Sequence, residues 1–121
     1  MRVLVCGGRE FSDREMCDRT LYQLHIETPI TLLIEGGARG ADSFAWSWAQ
    51  SRNLQTKSFP ADWNKHGKAA GPIRNQRMLD EGRPDLVLAF PGGRGTADMI
   101  RRAEAAGVKV VRVASAQEVV G

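Results

Sequence analysis

Leu86-Val87-Leu88-Ala89-Phe90-Pro91-Gly92-Gly93-Arg94-Gly95-Thr96 joins a short apolar run to a glycine-rich turn, and a helical pattern follows. An apolar run of this length, without polar alternation, reads as a β-strand buried on both faces. Glycines between a strand and a helix let the chain bend sharply and bring backbone N–H groups close to an anion. Thr96 is the expected cap of the following helix. The same order of features occurs twice more upstream. Val3–Cys6 leads into Gly7-Gly8-Arg9, and Thr31–Ile34 leads through Glu35 into Gly36-Gly37-Ala38-Arg39-Gly40-Ala41-Asp42.

Two further strands are expected at Thr56–Phe59 and Lys109–Val113. Helical spacing predicts helices over Asp13–His25, Ala41–Arg52, Ile73–Glu81 and Thr96–Ala106, with a short final one over Ala116–Val120. Ser12 or Asp13 would cap the first. Pro72 suits the opening of the third, Gly82 its stop, and Gly107 the stop of the fourth. Phe44, Trp46 and Trp48 read as core. Strands alternating with helices give an α/β fold: a single Rossmann-like three-layer domain over residues 1–121, with a five-stranded parallel sheet. Ligands of such sheets bind at the carboxyl ends of the strands, where all three glycine turns fall.

The bulk composition agrees. The chain has 121 residues, of which 42% are hydrophobic and 26% charged, as in globular domains. A net charge of +3 admits an anionic partner but is too small to argue for DNA by itself. No apolar segment reaches the ~18 residues of a membrane span. Cys6 and Cys17 read as reduced cysteines of a cytoplasmic protein. No P-loop, dinucleotide fingerprint or metal-ligand spacing is present, and no cofactor is expected.

Each turn has a structural and a ligand-binding reading. Arg9 is either a solvated side chain or a fork for phosphate. Asp42 either stabilises the helix N-terminus or accepts from a ribose hydroxyl. Arg74 and Arg77, one turn apart, either form a solvated face or meet phosphate. The long connection from Pro60 to Pro72 suggests a functional flap. Its Trp63 either anchors the loop or stacks on a base, and Lys65, His66 or Lys68 could meet phosphate.

Several stretches together resemble the SLOG superfamily, and within it the YspA-like family. They are Gly7-Gly8-Arg9-Glu10-Phe11, Gly36 through Asp42, Ala61-Asp62-Trp63, Ala70-Gly71-Pro72-Ile73-Arg74-Asn75, and Phe90 through Thr96. Relatives include the lonely-guy phosphoribohydrolases, which release a base from a nucleoside monophosphate. They also include the DNA-processing protein A family, which binds single-stranded DNA, and sensor domains for NAD-derived nucleotides. The resemblance implies a nucleotide-binding cleft built from Gly7, Gly8, Arg9, Gly36, Gly37, Arg39, Asp42, Arg74, Asn75, Pro91, Gly92, Gly93, Gly95 and Thr96. It leaves a homodimer open.

The phosphoribohydrolase motif Pro-Gly-Gly-x-Gly-Thr-x-x-Glu matches Pro91 to Thr96, but its glutamate position holds Met99. Asp98 is adjacent, yet one residue is ~100° of helical rotation, so it is expected to point elsewhere. The leading expectation is therefore a small-molecule nucleotide ligand, bound by a sensor or binding module. A phosphoribohydrolase with a displaced carboxylate, Asp98 or Asp42, comes second. Single-stranded nucleic acid comes third.

Overall fold

The computed structural model describes residues 1–114; the helix expected at Ala116–Val120 lies outside them. The strands are β1 (Arg2–Cys6), β2 (Leu32–Glu35), β3 (Gln55–Ser58), β4 (Leu86–Ala89) and β5 (Lys109–Arg112). The helices are α1 (Arg14–Glu27), α2 (Ala41–Ser51), α3 (Trp63–His66), α4 (Ala70–Gly82) and α5 (Arg94–Ala105), with a 3-10 turn at Gly67–Ala69. All strand pairs are parallel, in the order β3-β2-β1-β4-β5. The chain winds outward from β1 to β3, then crosses back to β4 on the other side of β1. The switch in strand order thus falls between β1 and β4.

Alternation along the central strand builds two cores. Val3 and Val5 face α1 and α2, meeting Cys17, Leu21, Ala45 and Trp48. Leu4 and Cys6 face α4 and α5, meeting Met78, Leu79, Met99 and Ala103. The result is the expected Rossmann-like three-layer α/β architecture. Cys6 and Cys17 are free and buried, and burial pushes each thiol up to about 12. Among the described residues, no helix is long and apolar enough to cross a membrane.

Several local expectations need correction. The connection after β3, expected as a long loop forming a functional flap, folds into a short helix, a 3-10 turn and the start of α4. Asp62 Oδ1 accepts from the Lys65 N–H at 3.0 Å and caps α3, and α4 begins at Ala70, whose side chain is buried. Pro72 therefore lies inside the first turn of α4, where its missing N–H costs no helical bond. Helix α5 begins at Arg94 rather than Thr96; its N-cap is Gly93, and no side chain caps it. Gly82 does not stop α4 by a left-handed turn. It is the last helical residue, packed so closely on Ile34 that a Cβ would fall 3.0 Å from Cδ1, and Arg83 takes the positive φ of 49°. Trp48 and Phe44 join the core, but Trp46 is 44% exposed.

Candidate functional site

The turns after β1, β2 and β4 close on one another at the carboxyl end of the sheet. The Gly8 N–H donates to the Pro91 carbonyl at 2.9 Å, joining the first turn to the third. Gly40, at φ 80°, brings the second turn onto the first: a Cβ there would collide with the Gly8 carbonyl oxygen. A side chain at Gly7 would fall 2.6 Å from Ala41 Cβ, and one at Gly92 would meet Thr96 Oγ1 and the Gly8 nitrogen. Gly36 is closed off by the Arg74 guanidinium, and Gly37 by Pro60. These glycines let the three turns pack. Gly93 and Gly95 differ, having nothing within 4 Å of a Cβ position. They open the uncapped first turn of α5, whose leading N–H groups have no partner within the helix.

In front of that turn lies a cleft of 730 Å³, lined by Gly7, Gly8 and Arg9 after β1, Asp42 on α2, Arg74 and Asn75 on α4, and Gly93–Thr96 and Asp98 on α5. A second cavity of 430 Å³ lies toward β3, between Gly36, Gly37, Arg39, Pro60 and Ala61. Arg9, Ala38, Trp63 and Arg74 line both. The structure therefore brings most of the expected residues to one place. Pro91 lies just behind, holding Gly8.

The wall near β2 is a buried polar cluster. Arg74 Nη1 donates to the Gly36 carbonyl and, at 3.5 Å, to that of Phe59; Nε donates to Asn75 Oδ1 at 3.1 Å. Burial lowers the Arg74 pKa, against the pull of Asp42. Glu35, at the head of the second turn, has no role assigned by sequence pattern, yet it belongs to this wall. It is 2% exposed and accepts from the Gly37 N–H at 2.7 Å and from the Ser58 hydroxyl. A glutamate ending an apolar run just before two glycines was the available signal. Asp42 is not the N-cap of α2, which is Gly40. It sits in the first helical turn, and its Oδ2 accepts from the Ala38 N–H at 3.3 Å. Burial, with the Glu35 charge adding to it, pushes the Asp42 carboxyl up to about 7.

The opposite wall is α5. Met99, where the phosphoribohydrolase motif has glutamate, is fully buried in the core. Asp98 faces the cleft, contrary to expectation. Met99 points into the core, and the position before it, ~100° around the helix, is on the cleft face. Asp98 accepts from Asn75 Nδ2 at 3.0 Å, Arg102 Nε at 2.8 Å and Arg101 Nη2 at 3.1 Å. Partial burial opposes its ionisation, but these hydrogen bonds and arginine charges hold its pKa below the ordinary value. Asn75 Nδ2 also donates to the Gly95 carbonyl at 3.2 Å. With Oδ1 on Arg74, the Asn75 amide thus links the two walls.

The mouth carries cations. Arg9, Lys68, Arg94 and Arg101 line it, while Arg39 pairs with Glu10 at 2.6 Å on the exposed rim, a contact of small energetic weight. Arg77 does not join Arg74 in the cleft; it pairs with Glu81 at 2.8 Å and covers Phe59. Lys65 and His66 lie off the cleft lining. Among the described residues no cluster of His, Cys, Asp or Glu has the arrangement of a metal site.

Known proteins share this architecture. The structure resembles DNA processing protein A (DprA) from Streptococcus pneumoniae with a TM-score of 0.52 at 17% identity. That match covers 91% of this chain and 58% of the DprA chain, so the likeness is one of fold. The Gene 61 protein of Mycobacterium phage D29 is 40% identical over 118 residues, covering 91% of this chain and 94% of the phage protein. The model of the YspA, cpYpsA-related SLOG family matches residues 1–66, which hold the first two glycine turns and Trp63. With more than half of its length matched, the chain belongs to the YspA, cpYpsA-related SLOG family.

Proposed function

We propose that the cleft binds a nucleotide or nucleotide-derived ligand as a sensor or binding module, with a phosphate at the first turn of α5. Membership of a SLOG family points to a nucleotide-related role. One observation carries the finer reading. Most glycines of the three turns are occupied in packing the turns together, whereas Gly93 and Gly95 face open space at an uncapped helix start. Such a start offers free N–H groups and the positive end of the helix dipole to an anion. Arg94 and the Thr96 hydroxyl stand beside it, and 730 Å³ is in the range of small-ligand sites.

A second reading, N-glycosidic hydrolysis of a nucleoside monophosphate, draws on the two carboxyl groups of the cleft. Asp98, held ionised, suits the positive charge that develops on a ribose as the bond to the base breaks. Asp42, titrating near 7, suits proton donation to the departing base. Divergent environments of this kind separate acid from stabiliser in enzymes that work through two carboxyl groups.

Nucleoside monophosphates, NAD and ADP-ribose are to be added separately, following melting temperature and, by chromatography, free base. Stabilisation without base release supports the binding module. Base release that Asp98→Asn abolishes, with stabilisation retained, supports the hydrolase. No stabilisation by any of them, with binding of a single-stranded oligonucleotide that falls steeply with salt, replaces both readings with a nucleic-acid one.

A further inference from the structure

The least explained side chain at the site is Trp63. An indole is costly to leave in water, yet Trp63 is 48% exposed and belongs to neither hydrophobic core. It is the first residue of the four-residue helix α3, which the Asp62 cap holds in place. One edge lies over Gly71, whose Cβ position is 3.5 Å from Cη2. Its ring is covered by Arg9, with the guanidinium carbon 5.3 Å from a ring centroid. Arg9 forms no ion pair among the described residues; its guanidinium stacks on Trp63 instead. Both residues line both cavities. The Arg9–Trp63 stack therefore stands, with Ala38 and Arg74, where the 730 Å³ cleft and the 430 Å³ cavity meet.

We infer that Trp63 is the platform for the base of the ligand, and that Arg9 covers it only while the cleft is empty. This rests on the nucleotide reading above and adds where the base goes. A purine presents the same flat face to an indole as a guanidinium does, with more area, so it can replace Arg9 on the ring. Arg9 is then released toward the phosphate end of the cleft, which it lines together with Gly8 and Gly93, and where its charge is unmatched. The exchange gains a stacked base and a charge-assisted phosphate contact for one exposed cation–π contact, which is weak. It also predicts a preference for purine over a bare sugar phosphate, because the phosphate subsite alone does not use Trp63.

The probes are AMP and ribose 5-phosphate, titrated calorimetrically into the wild-type protein and into Trp63→Leu and Trp63→Phe. Wild type is expected to prefer AMP. Trp63→Leu is expected to lose roughly tenfold of that preference, the scale of one base–aromatic stack, while its affinity for ribose 5-phosphate is unchanged. Trp63→Phe is expected to keep most of the preference, which separates stacking from a folding defect. If Trp63→Leu keeps the full AMP preference, the platform assignment is wrong while the nucleotide reading stands. If wild type binds neither probe nor NAD, the nucleotide reading fails and the platform with it.

Discussion

The two walls of the cleft solve opposite problems with the same residue types. At the β2 wall, glycines are filled by neighbours and the carboxyl group of Asp42 is kept from water. At the α5 wall, glycines face open space and the carboxyl group of Asp98 is ringed by Asn75, Arg101 and Arg102. One wall raises an aspartate pKa to about 7; the other lowers one. Chemical role here follows from where a loop closes, and residue type alone does not reveal it.

The largest effect tests the β2 wall. Glu35 at the end of β2, Arg74 on α4 and Cys6 on β1 face Asp42, and burial dominates its titration. A carboxyl group whose pKa is higher in the folded than in the unfolded state holds more protons when folded. Its contribution is fully present below the unfolded pKa and is lost as pH rises through the folded one, here from about 4 to about 7. Asp42→Asn removes this loss while keeping an acceptor for Ala38. The variant is expected to match wild type in acid and to exceed it above pH 7, by up to roughly 4 kcal/mol at 1.36 kcal/mol per pK unit. Urea unfolding at pH 5 and pH 8 measures the difference; equal gaps at the two pH values would show that Asp42 is not titrating in this window.

Gly92→Ala probes the seam between the walls. A methyl group there has to displace Thr96 Oγ1 and the backbone nitrogen of Gly8, the latter at 2.6 Å. Backbone cannot step aside cheaply, so a loss of about 1–3 kcal/mol is expected, as for overpacking elsewhere. A melting temperature equal to wild type would show that the turns are looser than they look.

Asp98→Ala probes the α5 wall and has the opposite pH sign. Its lowered pKa contributes stability above the unfolded value that is lost as pH falls through the folded one. Removal leaves Asn75 Nδ2 with Gly95 alone and frees Arg102 to its bond with Gln76. A cost of about 1–2 kcal/mol at pH 7 is expected, shrinking below pH 4. Combined with Asn75→Ala, the two losses should add to less than their sum, because the residues share a bond. Full additivity would disconnect them.

The contrast marks the limit of what the sequence tells. Three apolar runs and their glycine punctuation are enough for the central strands and for the cleft at their carboxyl ends, because burial on both faces leaves no polar alternation, whereas the edge strands β3 and β5 are largely exposed. The sorting of glycines was not legible. Gly92 and Gly93 are neighbours in the chain, and only the approach of Gly8 makes one indispensable for packing. The direction of Asp98 is not legible either, because it depends on Met99 packing into the core, a tertiary contact that turns the preceding position toward the cleft. Glu35 hid inside a strand pattern, since its partners Gly37 and Ser58 come together only when β2 pairs with β3. Trp46 shows the reverse: helical spacing predicts an aromatic core position, but the side chain is 44% exposed.

The smallest effect on stability is the most direct on binding. Gly95 is in the first turn of α5 with open space around its Cβ position. Gly95→Ala removes the backbone entropy cost of glycine in a helix, and a gain of about 0.5–1 kcal/mol is expected in the empty protein. The same methyl group stands where a phosphate oxygen would approach the helix N–H groups. The rise in melting temperature on adding AMP is therefore expected to shrink, although the empty variant melts higher than wild type. Those two changes have opposite signs, so a general destabilisation cannot imitate them. A variant that melts higher and keeps the full AMP shift would move the phosphate away from α5, and the open wall would then need another occupant.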